Sequence, residues 1–196
     1  TGNEGKMKEI RMILADLQVP VLSMKEAGLQ TEVEENGKSF AENADIKATA
    51  IQKLSPEDIV LADDSGLEID ALNGEPGIYS ARYMGEDTSY RIKNANLVER
   101  LHGVPDEKRT ARFVCAISAA LPGGTILRSR GTIEGRIGYE ERGENGFGYD
   151  PIFYLPEYGC STAELDPETK NRLSHRGKAL EAIKEQLRPF LEEGNR

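Results

Sequence analysis

Two adjacent carboxylates, Asp63 and Asp64, directly follow the hydrophobic run Ile59-Val60-Leu61-Ala62 and precede Ser65-Gly66. Short apolar runs of this length are typical of buried strands, and open α/β sheets bind ligands at the carboxyl ends of their strands. Two acids in that position can hold a divalent cation and activate a water molecule. The same residues also make good turns, so a polar strand end explains them equally well.

The opening segment Thr1-Gly2-Asn3-Glu4-Gly5-Lys6 could bind phosphate, because it leads into a predicted helix over residues 4–17. Helix N-termini carry unpaired N–H groups and a partial positive charge, which favour anions. The spacing is too short for a Walker A loop, and an ordinary helix start is the simpler alternative. Lys47, on a second helix that Ser39 caps, could reach into the same site, although most helical lysines are merely solvated.

A second acidic pair, Glu34-Glu35, precedes the turn at Gly37. Magnesium takes oxygen ligands and often uses only one or two carboxylates together with substrate phosphates. One carboxylate from this pair and one from Asp63-Asp64 would therefore suffice, but acidic pairs are common in the loops of a chain this acidic.

Two further segments could contact an aromatic or anionic ligand. In Asn145-Gly146-Phe147-Gly148-Tyr149-Asp150-Pro151 the glycines leave Phe147 little local cover, so its ring could stack on a nucleobase, worth about 1–3 kcal/mol. A core aromatic beside a tight turn is the alternative. In the second segment, Lys170, Arg172 and Arg176 surround His175 near a predicted helix start, where cations oppose the helix dipole. Contact with an anionic ligand and a structural role for His175 both remain open.

Composition limits the class of protein. The net charge of −9 argues against nucleic-acid binding as the main role, and no apolar stretch approaches the roughly 20 residues that span a bilayer. Two isolated cysteines, Cys115 and Cys160, and no signal-peptide pattern favour the cytoplasm. We expect one domain over residues 1–196, with a leading strand before Thr1 absent from this sequence.

The order of predicted elements favours an α/β fold with a mixed sheet. Further helices are predicted over 89–101, with Ile92, Ala95, Val98 and Leu101 on the apolar face, and from Ser174 onward, where Pro189 should kink or end the helix. The predicted strands are a short one over 19–22, one over 59–62, a hairpin over 112–121 and 125–137, and one over 152–154.

Five motifs occur together and in order: TGNEGK, SFAENADIKA, LADDSGLEIDALNGEPGIYSARY, FGYDPIF and NRLSHRGKAL. Over residues 1–191 the chain closely resembles the inosine triphosphate pyrophosphatase family, which hydrolyses XTP, ITP and dITP. The resemblance implies a two-lobed α/β structure with a mixed β-sheet, flanking helices and a substrate cleft between the lobes. It also implies a homodimer that uses Mg²⁺ and a nucleoside triphosphate, with no nucleic-acid or membrane partner.

The resemblance assigns roles residue by residue. Asp64 matches the general base and a metal ligand, and Glu34 matches a second magnesium-linked acid, although the alignment could slip to Glu35. Arg176 matches a contact near the 6-keto oxygen of the purine, and Phe147 matches the stacking residue. The substrate-binding set it implies is Thr1, Gly2, Asn3, Glu4, Gly5, Lys6, Lys47, Ser65, Phe147, Gly148, Tyr149, Asp150, Lys170, His175 and Arg176.

The expected reaction releases pyrophosphate and a nucleoside monophosphate. Two alternatives remain: a Maf-type pyrophosphatase for other modified nucleotides, whose opening motif differs from TGNEGK, and a non-catalytic nucleotide-binding module.

Overall fold

The computed structural model describes residues 1–193 as an α/β fold. Its sheet has the strand order β1-β2-β3-β4-β5, so each strand pairs with its neighbour in sequence, and the β3–β4 and β4–β5 pairs are antiparallel. The strands are β1 Val60–Ile69, β2 Thr110–Ala120, β3 Ile126–Ile137, β4 Phe153–Leu155 and β5 Cys160–Ser161. The helices are α1 Glu4–Leu14, α2 Phe40–Gln52, α3 Tyr90–Arg100, α4 Pro167–Leu173 and α5 His175–Glu193. The predicted α/β class, with a sheet and flanking helices, is confirmed.

The chain divides into two compact units. Within the described residues, unit 1 comprises residues 1–64, 115–131 and 175–193, and unit 2 comprises residues 65–114 and 132–174. The unit boundaries fall inside β1, β2 and β3, so each long strand contributes residues to both. A single domain over 1–196 stays a prediction, and its last three residues lie outside the described part.

The core of unit 1 is built from α1, α5 and the second half of β2. Eight consecutive residues at the end of β2 are buried, which is the pattern of a strand covered on both faces. Ile117 on β2 packs in one cluster with Ile13 on α1 and Ile183 on α5. The strand β3 comes so close to the first turn of α5 that a Cβ on Gly131 would lie 2.2 Å from the carbonyl oxygen of His175.

The core of unit 2 centres on Phe113 and Phe153, whose ring centroids are 4.3 Å apart. Leu67 and Ile69 from β1, and Leu97 from α3, belong to the same cluster. The buried Arg109 links the backbone around this core, because it donates hydrogen bonds to the carbonyls of Leu101, Val104, Ile137 and Gly138.

Three predicted elements differ from the structure. The segment 19–22 is not a strand; Val19 and Leu22 are exposed, and the carbonyl of Val21 accepts a hydrogen bond from Arg11 instead of pairing with a strand. The predicted strand 59–62 extends to Ile69, so the two acids lie within β1 and not after its end. Pro189 does not end α5, which continues to Glu193.

The helix α3 buries only part of the predicted apolar face: Leu101 is buried and Val98 packs against the unit 2 core, but Ile92 is exposed. Ile92 is 53% exposed, whereas Lys93 and Asn94 are each 1% exposed. These two polar side chains tolerate burial because Lys93 donates to the carbonyl of Ala81 and Asn94 donates to that of Gly148. The helix α4 was not predicted, although Asp166-Pro167 is a typical helix start and Asp166 caps it. Within residues 1–193 no helix is long and apolar enough to cross a membrane.

Candidate active site

The acidic pair lies in the middle of a strand, and this decides what each carboxylate contacts. Successive side chains of a strand point to opposite faces of the sheet. Asp63 and Asp64 accordingly meet different partners, all within unit 1. One sequence motif therefore supplies two chemically distinct sites.

Asp63 accepts charged hydrogen bonds from two elements distant in sequence. Lys6 Nζ on α1 lies 3.0 Å from Asp63 Oδ1, and Arg176 Nε on α5 lies 3.3 Å from Asp63 Oδ2. The thiol of the buried Cys115 also lies 3.7 Å from Asp63 Oδ2. Asp63 thus holds Lys6 of α1 and the first turn of α5 to the same strand.

Arg176 is 2% exposed and bridges two acids. Besides Asp63, it contacts Glu9 on α1, with 2.8 Å between Arg176 Nη1 and Glu9 Oε2. Burial alone would lower the pKa of Arg176, but Asp63 and Glu9 raise it, so the guanidinium stays charged. These contacts favour a positioning role within unit 1, and the assignment of Arg176 to the purine keto group stays a prediction.

Lys47 gathers the groups around Asp64. Its ammonium lies 3.2 Å from Asp64 Oδ1, 2.8 Å from Glu35 Oε1 and 2.6 Å from the backbone oxygen of Asp63. Burial raises the pKa of Asp64, and Lys47 only partly offsets that effect. For Lys47 itself, burial works against the charged form, but the three surrounding carboxylates raise its pKa. A basic carboxylate beside a fixed cation is suited to accepting a proton.

Of the acidic pair before Gly37, Glu35 is the member that faces this cluster, whereas Glu34 is exposed. The loop that carries Glu35 is held by the buried Asn43 of α2, whose side-chain oxygen accepts a hydrogen bond from the N–H of Gly37 at 2.8 Å. A Cβ on Gly37 would lie 2.6 Å from that oxygen, so only glycine fits. The geometry favours Glu35 for the role that the resemblance gave to Glu34.

The donor set suits a hard divalent cation. Within the described residues Asp64 Oδ2 is buried and accepts no hydrogen bond, which leaves a charged oxygen to be satisfied by a ligand. Residues 1–193 contain no group of three or more His, Cys, Asp or Glu side chains placed to hold a metal alone. Magnesium matches this arrangement, since it takes few protein carboxylates and completes its shell with water and phosphate oxygens.

The start of α1 has the form expected of an anion site. Asn3 caps the helix, with its side-chain oxygen 3.0 Å from the N–H of Lys6, and the hydroxyl of Thr1 accepts from the N–H of Asn3. Residues 1–4 are exposed, and a Cβ on Gly2 would meet nothing within 4 Å. Open space therefore surrounds this helix start, on the chain segment that carries Lys6.

The predicted base-binding loop lies in unit 2, around the carboxylate of Asp150. Asp150 Oδ2 accepts hydrogen bonds from the N–H of Phe147 at 3.0 Å and from Lys170 Nζ at 2.6 Å. Lys170 Nζ also lies 4.7 Å from the centroid of the Phe147 ring, a cation–π contact. Three of the predicted contact residues are thus brought together within this unit.

Other predicted contacts are placed differently. Tyr149 is buried in the core of unit 2, its hydroxyl bonded to the carbonyl of Ser80, so its ring serves packing. The carbonyl of Gly148 accepts from Asn94. Ser65 follows Asp64 in β1 but belongs to unit 2, and His175 is buried at the start of α5. Glu9 and Asn43 were not predicted as site residues, and the partner of Glu9, Arg176, lies 167 residues away in the sequence.

The sequence model of the Ham1 family matches residues 1–186. The chain belongs to the Ham1 family. Among curated relatives, one from Desulforamulus reducens named dITP/XTP pyrophosphatase is 51% identical over 95% of this chain and 92% of its own length. A relative of the same name from Geobacillus kaustophilus is 48% identical over 95% and 91% of the two chains.

Solved structures of Ham1 proteins share the fold. The Staphylococcus aureus Ham1 protein superposes with a TM-score of 0.84 at 41% identity, covering 100% of this chain and 97% of its own. The HAM1 protein from Coxiella burnetii gives a TM-score of 0.85 at 40% identity, covering 95% of each chain. The predicted membership of a nucleotide pyrophosphatase family is therefore confirmed.

Proposed function

We propose that this protein hydrolyses non-standard purine nucleoside triphosphates, namely XTP, ITP and dITP, to the monophosphate and pyrophosphate. One observation carries the proposal. In a chain of the Ham1 family, the buried Asp64 carboxylate has one oxygen fixed by Lys47 and the other without a hydrogen bond within the described residues. Such a carboxylate is available to bind a metal and to accept a proton.

In the proposed reaction a water oxygen bonds to the α-phosphorus, and the bond from that phosphorus to the bridging oxygen of the β-phosphate breaks. Asp64 takes the proton of the attacking water, which its raised pKa favours. Lys6 and Lys47 stabilise negative charge on the phosphates, and the N–H groups at the start of α1 bind phosphate oxygens. The leaving group is pyrophosphate.

Asp64 and Glu35 are the residues that would hold magnesium. When bound, the ion would neutralise phosphate charge and favour the ionised form of Asp64. Lys47 contacts both carboxylates, so it sets their spacing before substrate arrives. Metal binding by Glu34 is the alternative within the same loop.

Base recognition falls to the unit 2 loop. Phe147 would stack on the purine, and the ammonium of Lys170, which is bound to Asp150, would donate to a keto oxygen but not to an amino group. Inosine and xanthine carry a keto group at C6 where adenine carries an amino group. A good bidentate base contact discriminates by about 1–3 kcal/mol.

The relatives named dITP/XTP pyrophosphatase support this substrate class over a Maf-type activity. We also propose that the protein acts as a homodimer in the cytoplasm, which light scattering on the purified protein and cell fractionation would test.

The decisive experiment measures pyrophosphate release from XTP, ITP, dITP, dUTP and ATP with Mg²⁺. We expect XTP, ITP and dITP to exceed ATP by about tenfold or more in kcat/KM. A preference for dUTP would indicate another class of pyrophosphatase, and nucleotide binding without turnover would indicate a binding module.

A further inference from the structure

The Asp150 carboxylate orders the base-binding loop, residues 145–151. A threonine outside this loop fixes the orientation of the carboxylate. Asp150 Oδ2 accepts hydrogen bonds from the N–H of Phe147 and from the ammonium of Lys170. The side chains of Asp150 and Lys170 are each 5% exposed. Asp150 Oδ1 accepts from the hydroxyl of Thr162 at 2.9 Å. Thr162 is 3% exposed and lies at the start of a short 3-10 helix, Thr162–Glu164.

Two oxygens of Asp150 lie within reach of the Thr162 hydroxyl, and the stronger acceptor of the two decides where its proton points. A hydroxyl has one proton, and Thr162 Oγ1 lies 3.1 Å from the backbone oxygen of Asp150 but 2.9 Å from the carboxylate. Charged acceptors make the stronger hydrogen bond, so the proton points to Oδ1. Rotation of the carboxylate would break this bond and move Oδ2 away from its two donors.

The segment that carries the Thr162 hydroxyl is held rigidly by hydrogen bonds. Ser161 and Glu164 form a reciprocal capping box on the 3-10 helix, and the Ser161 hydroxyl is bonded to the carbonyl of Arg142. The base-binding loop is also anchored to this segment by Asn145, whose N–H donates to the carbonyl of Ala163. Gly146 leaves no room for adjustment, because a Cβ there would lie 2.2 Å from Asp150 Oδ2.

We propose that Thr162 is a positioning residue for base recognition: its hydroxyl orients Asp150, and Asp150 in turn places Phe147 and Lys170. This inference rests on the proposed function and names a residue through which the base end of the site acts. Because the base is held equally in the ground state and the transition state, loss of the hydroxyl weakens binding and leaves the chemical step unchanged.

The test compares Thr162→Val and Thr162→Ala, which remove the hydroxyl, with Thr162→Ser, which keeps it. Thr110→Val is the matched control, since it removes a hydroxyl that donates to another unit 2 carboxylate, Asp70, at 2.6 Å. We expect Thr162→Val and Thr162→Ala to raise KM for dITP about tenfold with kcat within about twofold of the parent protein. Thr162→Ser and Thr110→Val should resemble the parent protein.

Binding of the two products, dIMP and pyrophosphate, distinguishes a positioning role of Thr162 from a general loss of order in the site. In Thr162→Val we expect dIMP to bind about tenfold more weakly by calorimetry while inhibition by pyrophosphate is unchanged. An unchanged KM, an equal weakening of pyrophosphate, or failure of Thr162→Ser to restore binding would overturn the role of Thr162. If the parent protein does not hydrolyse dITP, the proposed function fails, and the dIMP binding ratio still decides the role of Thr162.

Discussion

At the scale of single residues, adjacent aspartates have different tasks because they occupy one strand. Asp63 accepts hydrogen bonds from Lys6, Arg176 and Cys115, which makes it a structural anchor. Asp64 meets Lys47 and keeps a buried oxygen that accepts no hydrogen bond within the described residues. These contacts favour a positioning role for the first carboxylate, and we propose the second as the reactive one.

The environment of Asp64 predicts a conflict between function and stability. Burial raises the pKa of Asp64 above 3.8, so the unfolded chain ionises more readily than the folded one. The resulting loss of stability is absent at low pH, grows as pH rises from the unfolded pKa, and is complete above the folded pKa. Asp64→Asn should therefore raise Tm at pH 7.5 by more than at pH 4, measured by calorimetry in chelator, while abolishing turnover.

Asp70→Asn is the matched control for that experiment. Hydrogen bonds from Arg112 and Thr110 lower the pKa of Asp70, so its contribution to stability is present at neutral pH and lost on acidification. Its substitution should lower Tm at neutral pH and have a smaller effect near pH 3. The same sign for both variants would contradict the assigned environments.

Because Arg176 bridges Glu9 and Asp63, its substitution should strongly destabilise the protein. Arg176→Ala leaves two buried carboxylates without this cation, so we expect a loss of about 3–5 kcal/mol in the free energy of unfolding. Denaturant titration of Arg176→Ala, Glu9→Gln and the double variant should show strong coupling. Additive losses would contradict the bridge, and an ITP-over-ATP preference that narrows without loss of stability would favour direct base reading.

At the scale of elements, the close contact between β3 and α5 determines the position from which Arg176 contacts Asp63 and Glu9. Gly131 lies where a Cβ would clash with the backbone of His175 at 2.2 Å and of Ala179 at 2.8 Å. The glycine allows the first turn of α5 to lie directly on the strand. Placement of Arg176 thus depends on a residue with no side chain.

Gly131→Ala should destabilise the protein by about 1–3 kcal/mol, because the clashing atoms belong to backbone and cannot rotate away. Since the same shift moves Arg176, kcat/KM should fall as well. Gly138→Ala is the control, as its Cβ would make only an ordinary contact at 3.6 Å. Equal thermal stability of the two variants would show that β3 and α5 do not pack as described.

The elements also show what the sequence could predict. Local signals identified the helices that Asn3 and Ser39 precede, the β2–β3 hairpin and the α/β class. They did not reveal that β1 runs on past its two acids, because Asp-Asp-Ser-Gly resembles a turn. They also did not predict that α3 buries Lys93 and Asn94 beside its apolar residues, because the hydrogen bonds that satisfy these two side chains come from other parts of the fold.

At the scale of the whole molecule, sequence motifs named most of the residues around Asp64 but not their partners. The bond from Arg176 to Asp63 spans 113 residues, and the bond from Arg176 to Glu9 spans 167. Pairings of this range follow from the complete fold and not from local pattern. For that reason the sequence alone could not identify Glu9 as a partner of Arg176.

The net charge of −9 makes a bound cation important for an anionic substrate. We therefore expect removal of divalent cations with EDTA to reduce dITP hydrolysis by more than about a hundredfold, and excess Mg²⁺ to restore it. Near-infrared light scattering should be the same before and after EDTA treatment, which checks that the protein has not aggregated. Activity that survives chelation would contradict a metal at Asp64 and Glu35.

We propose that Asp64 activates the water that attacks the α-phosphorus. Hydrolysis of dITP in ¹⁸O-water, followed by mass spectrometry of both products, tests it most directly. We expect the label to enter dIMP and not pyrophosphate, and Asp64→Asn to form neither product at a measurable rate. Label in pyrophosphate, or turnover by Asp64→Asn at the parent rate, would contradict it.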